Sequence, residues 1–221
     1  MSMATPEGLL ATLEVPPVLR RSPLLRAGGF AVFPGWFEGA GFEALRAEAW
    51  SAYDSASEQQ CWDPDREEIR GGTPRRKLIT AGAGPVQDAV YSSPALHDVL
   101  SGICDVPVVP SGNRGSYSYY VRPGDFLGLH RDIPTCDVAV ITVLHDSGPD
   151  DQSGALVLYP ERVSEPLSAV RARPTEGALV VKVRQGETIV MLGGLVPHRV
   201  RRTATGQARI VSVLCFRAAV H

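Results

Sequence analysis

The sequence lacks the features that would assign it to several common classes of protein. It has no apolar stretch of about 18 residues, the length at which a membrane-spanning helix is expected. Its start, MSMATPEGLLATLEVPPVLRRSP, carries no long apolar segment behind a basic one. The formal net charge of -2 gives no positive field to attract nucleic acid or an anionic membrane. We therefore expect a cytoplasmic protein without a nucleic-acid or membrane partner.

Cysteine is scarce and scattered. The four cysteines, Cys61, Cys104, Cys136 and Cys215, fit neither a CxxC zinc pattern nor a dense disulfide framework. We expect them to be reduced thiols.

The composition is that of an ordinary globular protein, with 44% hydrophobic and 21% charged residues over 221 positions. We predict a single domain over 1–221. Its first part, 1–105, holds a strand in RAGGFAVFPGWF, a long loop and helices. The two main helices are predicted from apolar residues at three- and four-residue steps in GAGFEALRAEAWSAYDSA and from SPALHDVLSGIC.

The second part, 106–217, consists mostly of short strands bounded by turn residues, which favours a sandwich or barrel. We predict a mainly β fold with flanking helices. The predicted strands lie in SYSYYV, VAVITVLH, GALVLYP, GALVVKV, ETIVML and RIVSVLCF.

The segment 58–85 is polar, rich in glycine and proline, and without a sustained period, so we predict a long loop with one strand at 77–80. A loop of this length is often functional, and we expect it to act as a substrate lid. Trp62, Arg75 and Arg76 are candidate substrate-binding residues. The alternatives are that the arginines form a solvated surface balanced by neighbouring acids, and that Trp62 pins the loop to the body.

An HxD triplet and a distant histidine are the candidate metal ligands. His130 and Asp132 are two positions apart, so on an extended segment their side chains leave the same face. His198 follows a Gly-Gly turn at the start of another β segment. Two histidines and one carboxylate form the facial triad that suits ferrous iron and leaves coordination positions open.

Arg209 lies in the strand that follows His198, with Ser212 close by. The planar fork of an arginine suits a carboxylate. A hairpin between the two segments would bring Arg209 alongside the strand that bears His198. We therefore predict Arg209 as the anchor of a carboxylate co-substrate, with Ser212 near it.

Together these residues resemble the Fe(II)/2-oxoglutarate-dependent dioxygenases, whose pattern is HxD, a distal histidine and then an arginine. YVRPGDFLGLH is similar to the prolyl-hydroxylase and alkylation-repair branches, and SGALVLYPE resembles a strand of the same enzymes. The resemblance implies a double-stranded β-helix, the jelly-roll or cupin-like core, with Fe(II), 2-oxoglutarate and O2. It also implies a polar residue against 2-oxoglutarate, for which Tyr119 is the candidate.

Departures from the family patterns narrow the expected activity. The alkylation-repair signature RxNxTxR is absent after Arg209, which argues against nucleic-acid demethylation, and Asp132 occupies the position that halogenases of the superfamily give to a small residue. We expect a monomeric or weakly dimeric hydroxylase of a small molecule, such as an amino acid or a biosynthetic intermediate, that releases succinate and CO2. The alternatives are a protein prolyl-type hydroxylase and a cupin-like metal-binding protein that does not use 2-oxoglutarate.

Overall fold

A computed structural model describes residues 17–63, 70–148 and 152–219 of the chain. The helices are α1 Pro23–Arg26, α2 Gly39–Ala52, α3 Pro85–Tyr91, α4 Pro94–Cys104 and α5 Leu167–Ala172, with 3-10 turns at Pro17–Arg21, Tyr53–Ser55 and Pro160–Arg162. The strands are β1 Phe30–Pro34, β2 Ser57–Cys61, β3 Arg76–Gly82, β4 Val108–Pro110, β5 Ser116–Tyr120, β6 Phe126–His130, β7 Val138–Asp146, β8 Leu156–Leu158, β9 Leu179–Val181, β10 Glu187–Met191, β11 His198–Val200 and β12 Arg209–Ala218.

The helix α4 shows how the local sequence produces these elements. Ser93 caps its first turn by accepting a hydrogen bond from the Leu96 amide, and Pro94 stands at the first helical position, where its missing N–H costs nothing. Leu96, Leu100 and Cys104 recur at four-residue steps and are buried. Leu100 belongs to the core of the sheet, so the helix is held by the same apolar face that predicts it.

The strands form one antiparallel sheet with two runs that face each other. The first run has the order β1-β10-β7-β12-β5-β3, and the second has the order β6-β11-β8-β9. Pairing of β3 with β6 joins the two runs. Leu156 and Leu158 of the second run and Val143 and Val211 of the first belong to one buried cluster, so an interior lies between the runs.

Alternation along the strands assigns each residue to this interior or to an outer face. On β12, Val211 belongs to the large cluster, whereas Ile210 packs with Leu45 and Ala49 of α2. On the second run, Leu129 packs with Val170 of α5 on the outer face. The helix α2 therefore covers the outside of the first run, and α5 covers the outside of the second.

The predicted fold class is confirmed, and all six strands predicted in the second part are present. Three predictions need correction. The expected hairpin between the strands of His198 and Arg209 does not form, because β11 pairs with β6 and β8 whereas β12 pairs with β4, β5 and β7. The segment 58–85 is less irregular than expected, because β2 and β3 form an antiparallel pair within it. The cysteines are not all reduced, because Cys136 and Cys215 form a disulfide. The pairing of β7 with β12 places Cys215 opposite Ala139, which sequence spacing does not reveal.

Other expectations fall on residues that the structure does not describe. The start of the chain and residues 64–69, the middle of the expected lid, lie outside the described residues. In the part that is described, no helix combines the length and the apolar character needed to cross a bilayer. The single-domain organisation stays a prediction.

Candidate active site

A tight turn before β6 helps to position His130, the first metal-ligand candidate. Asp125 is buried, and its Oδ2 accepts hydrogen bonds from the amides of Val121 and Arg122 at 3.1 and 2.9 Å. Gly124 occupies the left-handed region with φ 79°, where a side chain would be strained. This turn starts β6, which ends at His130.

His130 and His198 are cross-strand partners in the β6–β11 pair, and their ring centroids lie 4.2 Å apart. Each ring is oriented by its own main chain. His130 Nδ1 lies 2.8 Å from the Gly128 carbonyl oxygen, and His198 Nδ1 lies 2.9 Å from that of Val196. Because a carbonyl oxygen only accepts, Nδ1 carries the proton in both rings and Nε2 is left with a lone pair for a metal.

Asp132 completes the cluster. Its Oδ1 lies 3.5 Å from His130 Nε2 and 3.6 Å from His198 Nε2. The three candidate ligand atoms lie within 4.8 Å of one another. The Asp132 amide donates to the Gly193 carbonyl at 2.9 Å, and a Cβ at position 193 would overlap the Asp132 carboxylate. Gly193 thus gives this carboxylate its room, and two imidazole nitrogens with one carboxylate oxygen fit a single divalent ion.

The electrostatics of the cluster favour a cation. Burial and the neighbouring His198 lower the pKa of His130. Burial opposes ionisation of Asp132, but the two histidines outweigh it and hold the pKa of that carboxyl well below its usual range. Burial likewise opposes protonation of His198, yet Asp132 raises its pKa. An ionised carboxylate at this position attracts a metal ion, which would compete with a proton on His198.

Arg70 fixes the chain that follows Asp132. This buried side chain donates to the carbonyl oxygens of Asp132 at 3.1 Å, Ile133 at 2.8 Å and Cys136 at 3.0 Å, and it pairs with Asp137 at 3.0 Å. A Cβ on Gly194 would crowd its guanidinium. The Gly-Gly pair of the sequence therefore makes room for both Asp132 and Arg70. The sequence carries no local signal that distinguishes the buried Arg70 from the exposed Arg75.

Arg209 begins β12 opposite Tyr120 of β5 and Asp146 of β7. It is 3% exposed and lies on the same face of β12 as the interior residue Val211. Its Nη1 donates to Asp146 Oδ2 at 2.5 Å and to the Val183 carbonyl at 2.9 Å. Within the described part of the chain, every hydrogen bond of this guanidinium comes from Nη1, so Nε and Nη2 remain for a ligand.

Asp146 is the partner that sequence reasoning missed. Its Oδ2 also forms an ion pair with Lys182 Nζ at 3.1 Å. Its Oδ1 accepts hydrogen bonds from the Gly148 amide at 3.0 Å and from Gln207 Nε2 at 3.1 Å. Burial opposes the ionisation of Asp146, but Arg209 and these donors lower its pKa. One carboxylate between two cations leaves an excess of positive charge that suits an anion.

Tyr119 and Ser212 face away from the interior, which corrects their predicted contact with a co-substrate. The Tyr119 hydroxyl donates to the Ala49 carbonyl of α2 at 2.6 Å, and Ser212 accepts from Gln87 of α3 at 2.7 Å. Because strand side chains alternate, an offset of one residue reverses the face. Tyr120 is the tyrosine on the interior face, directly across from Arg209.

Tyr120 has the properties of a hydrogen-bond donor to a buried anion. It is 3% exposed, and its hydroxyl has no hydrogen-bond partner among the residues that the structure describes. Burial raises its pKa, although the charge of Arg209 acts in the opposite direction. The hydroxyl therefore stays protonated.

The three candidate substrate residues are separated by the structure. Trp62 and Arg75 line a cavity outside β6 and β11. Arg76 is two positions before the interior residue Leu78 on β3, so both side chains lie on the inner face. The Nε of Arg76 is buried without a hydrogen-bond partner in the described chain. Neither Trp62 nor Arg75 shares a face with the metal-ligand candidates.

No family model and no curated protein matches the sequence. Solved structures do match. A prolyl-4-hydroxylase from Pseudomonas putida aligns over 96% of this chain and 100% of its own, with TM-score 0.57 and 17% identity. SnoN, a non-haem alpha-ketoglutarate-dependent epimerase from nogalamycin biosynthesis, aligns over 97% and 82%, with TM-score 0.66 and 14% identity.

HygX from Streptomyces hygroscopicus, with nickel, 2-oxoglutarate and hygromycin B bound, aligns over 86% of this chain and 83% of its own, with TM-score 0.57 and 16% identity. The chain has the 2OG-Fe(II) oxygenase fold. The fold agrees with the one that the motif resemblance implies, and the cluster of His130, Asp132 and His198 lies within it.

Proposed function

We propose that this protein is an Fe(II)- and 2-oxoglutarate-dependent oxygenase that hydroxylates or otherwise oxidises a C–H bond of a small molecule, such as an amino acid or a biosynthetic intermediate. Succinate and CO2 are the products of the co-substrate. The observation that carries the proposal is the convergence of two imidazole Nε2 atoms and one carboxylate oxygen beside an interior that also holds Arg209.

The donor set fits the group. His130, Asp132 and His198 would hold the iron through two imidazole nitrogens and one carboxylate oxygen. Bound ferrous iron supplies the activation of dioxygen, which no side chain of the protein provides. Arg209, with Nε and Nη2 unused, binds the distal carboxylate of 2-oxoglutarate, and the Tyr120 hydroxyl donates to the same carboxylate.

The remaining work of the protein is positioning. Gly128 and Val196 fix the two imidazole rings through their carbonyl oxygens. Asp146 accepts a hydrogen bond from Arg209 Nη1 and so fixes the side-chain conformation of Arg209. The Nε and Nη2 edge is thereby already oriented for a ligand, which lowers the entropy cost of binding. A cupin-like metal protein that does not use 2-oxoglutarate would need no residue to anchor a carboxylate. The presence of Arg209 therefore favours the oxygenase over that alternative.

Anaerobic titration of the purified protein tests the proposal. We expect Fe(II) and 2-oxoglutarate together to give a visible metal-to-ligand charge-transfer band, and we expect neither component alone to give it. Binding of Fe(II) without any effect of 2-oxoglutarate would favour the cupin-like alternative. The absence of both would remove the proposed function.

Succinate release over a panel of amino acids, biosynthetic intermediates and proline-containing peptides then identifies the substrate class. Stimulation by peptides only would replace the small-molecule assignment by a prolyl-type hydroxylase. The proposal also places the enzyme in the cytoplasm as a monomer or weak homodimer, which fractionation and light scattering check.

A further inference from the structure

A cavity of about 1110 Å3 lies on the outer side of the strands that carry the metal-ligand candidates. Leu129 and Arg199, the neighbours of His130 and His198, line it because consecutive strand residues point to opposite faces. Val170 and Arg171 of α5 form another part of its wall. None of the proposed metal ligands is among its described lining residues, so it is separate from the metal cluster.

The charge of the lining is one-sided. Among the residues of the lining that the structure describes there is no aspartate or glutamate, whereas five arginines are present in a chain with a net charge of -2. Like charges brought together repel one another unless an anion joins them. We call this cavity the arginine groove, and its arginines are Arg75, Arg171, Arg199, Arg201 and Arg202.

Two of these guanidinium groups are already held in place. Arg202 lies 4.1 Å over the centre of the Phe126 ring and donates to the Gly124 carbonyl at 3.1 Å. Arg201 donates to the side chain of Gln152. The Nε of Arg199 is buried and has no hydrogen-bond partner in the described chain. Fixed guanidinium forks and an unsatisfied buried donor favour a ligand with several acceptor oxygens, which a phosphate offers.

An aromatic rim accompanies the charge. Trp62 lines the groove, is 48% exposed, and lies 5.9 Å from Phe126 between ring centroids. An exposed indole next to guanidinium groups suits the face of a planar ring. The cavity volume is close to the upper end of pockets for small ligands, about 300–1,000 Å3.

We propose that the arginine groove is a second binding site of this protein, and that it takes a small phosphorylated molecule with a planar ring, of the nucleotide type. The phosphate groups meet Arg199 and Arg201, and the ring lies against Trp62. This site does not depend on the proposed oxygenase function, since none of the proposed metal ligands and neither Arg209 nor Tyr120 lines it among the described residues.

Calorimetric titration of the full chain with inorganic pyrophosphate and with ADP tests the site at two salt concentrations. We expect saturable binding of both that weakens with salt. Arg199→Gln and Arg201→Gln should each weaken it about tenfold or more, in line with the loss of charge-assisted hydrogen bonds. Arg114→Gln, which removes an exposed arginine that pairs with Asp88 of α3 and does not line the groove, should bind as the unaltered chain does.

Trp62→Ala separates the two parts of the proposed ligand. It should weaken ADP binding severalfold and leave pyrophosphate binding unchanged. Thermal unfolding and Co(II) binding of each variant confirm that the fold and the metal cluster are intact. Since these are measured independently, a failed oxygenase assay and a failed groove are distinguishable.

Three results would overturn the proposal. The first is the absence of saturable binding by either phosphate probe. The second is equal binding in Arg199→Gln and in the unaltered chain. The third is stronger binding of a short oligothymidylate or an acidic oligoglutamate than of ADP, which would assign the groove to a nucleic acid or to an acidic peptide.

Discussion

The metal cluster and the surroundings of Arg209 differ in what holds their side chains. In the metal cluster, the two imidazole rings are oriented by carbonyl oxygens two residues away in the same strand or turn. Arg209 is instead oriented by Asp146, a side chain from another strand. A site held by its own main chain is visible in a short motif, whereas a site held by remote side chains is assembled by the fold. The predictions that follow test whether this difference in construction produces a difference in behaviour.

The largest effect is expected from removal of a metal ligand. Asp132→Ala or His198→Ala takes away one of three protein ligands, so Fe(II) or Co(II) binding should fall below detection while the thermal unfolding temperature changes little. His145→Ala is the matched control, because that ring packs against Trp50 on the outer face at 5.4 Å between centroids. Full metal binding by either ligand variant would invalidate the cluster.

Gly193→Ala tests the part of the metal cluster that the backbone builds. The added Cβ would overlap the Asp132 carboxylate, and we expect metal affinity to fall about 10- to 100-fold, as when a partner of a metal ligand is lost. Gly102→Ala in α4 is the control, since a Cβ there meets nothing within 4 Å. Unchanged Co(II) affinity in Gly193→Ala would mean that Asp132 tolerates displacement.

Arg209→Gln tests the second region, the surroundings of Arg209, which is held by side chains from other strands. The loss of a charge-assisted contact should cost about 1.5–3 kcal/mol of 2-oxoglutarate binding, or about 10- to 150-fold in affinity, with metal binding preserved. Arg217→Gln, farther along the same strand and exposed, is the control. Equal 2-oxoglutarate affinity in both variants would require another anchor, for which Arg76 on the inner face of β3 is the next candidate.

The smallest effect distinguishes two neighbouring tyrosines. Tyr120→Phe removes the interior hydroxyl and should weaken 2-oxoglutarate binding by about 0.5–1.5 kcal/mol. Tyr119→Phe removes the hydrogen bond to the Ala49 carbonyl, so it should lower the unfolding temperature without affecting the co-substrate. The reverse pattern would mean that the strand register assigned to β5 is wrong.

The sequence predicted the fold class and the clustered metal-ligand candidates because both depend on local pattern. The strands of the second part alternate or run apolar over short stretches, and each predicted one contains an observed strand. His130 and Asp132 are close in the chain, and a two-residue spacing on an extended segment implies a shared face. His198 was grouped with them from its place after a Gly-Gly turn at the start of a β segment and from the facial-triad pattern of two histidines and one carboxylate.

The co-substrate residues were predicted less well, since register decides them. Arg209 is on the interior face, but Tyr119 and Ser212 lie on the outer face with α2 and α3. A one-residue uncertainty in the start of a strand is enough to exchange Tyr119 for Tyr120. Asp146 was missed because its contact with Arg209 depends on the pairing of β7 with β12, which are distant in the sequence.

The sequence by itself determined that this chain forms short antiparallel strands with two flanking helices, and that two histidines and an aspartate are available to one metal ion. Only the tertiary structure decided which of two adjacent tyrosines faces the interior, that Arg70 is buried beside Asp132, that Cys136 meets Cys215, and that five arginines share one groove. Periodicity and motif spacing act within one segment of the chain. Register, ion pairing and disulfide pairing depend on which distant strands become neighbours.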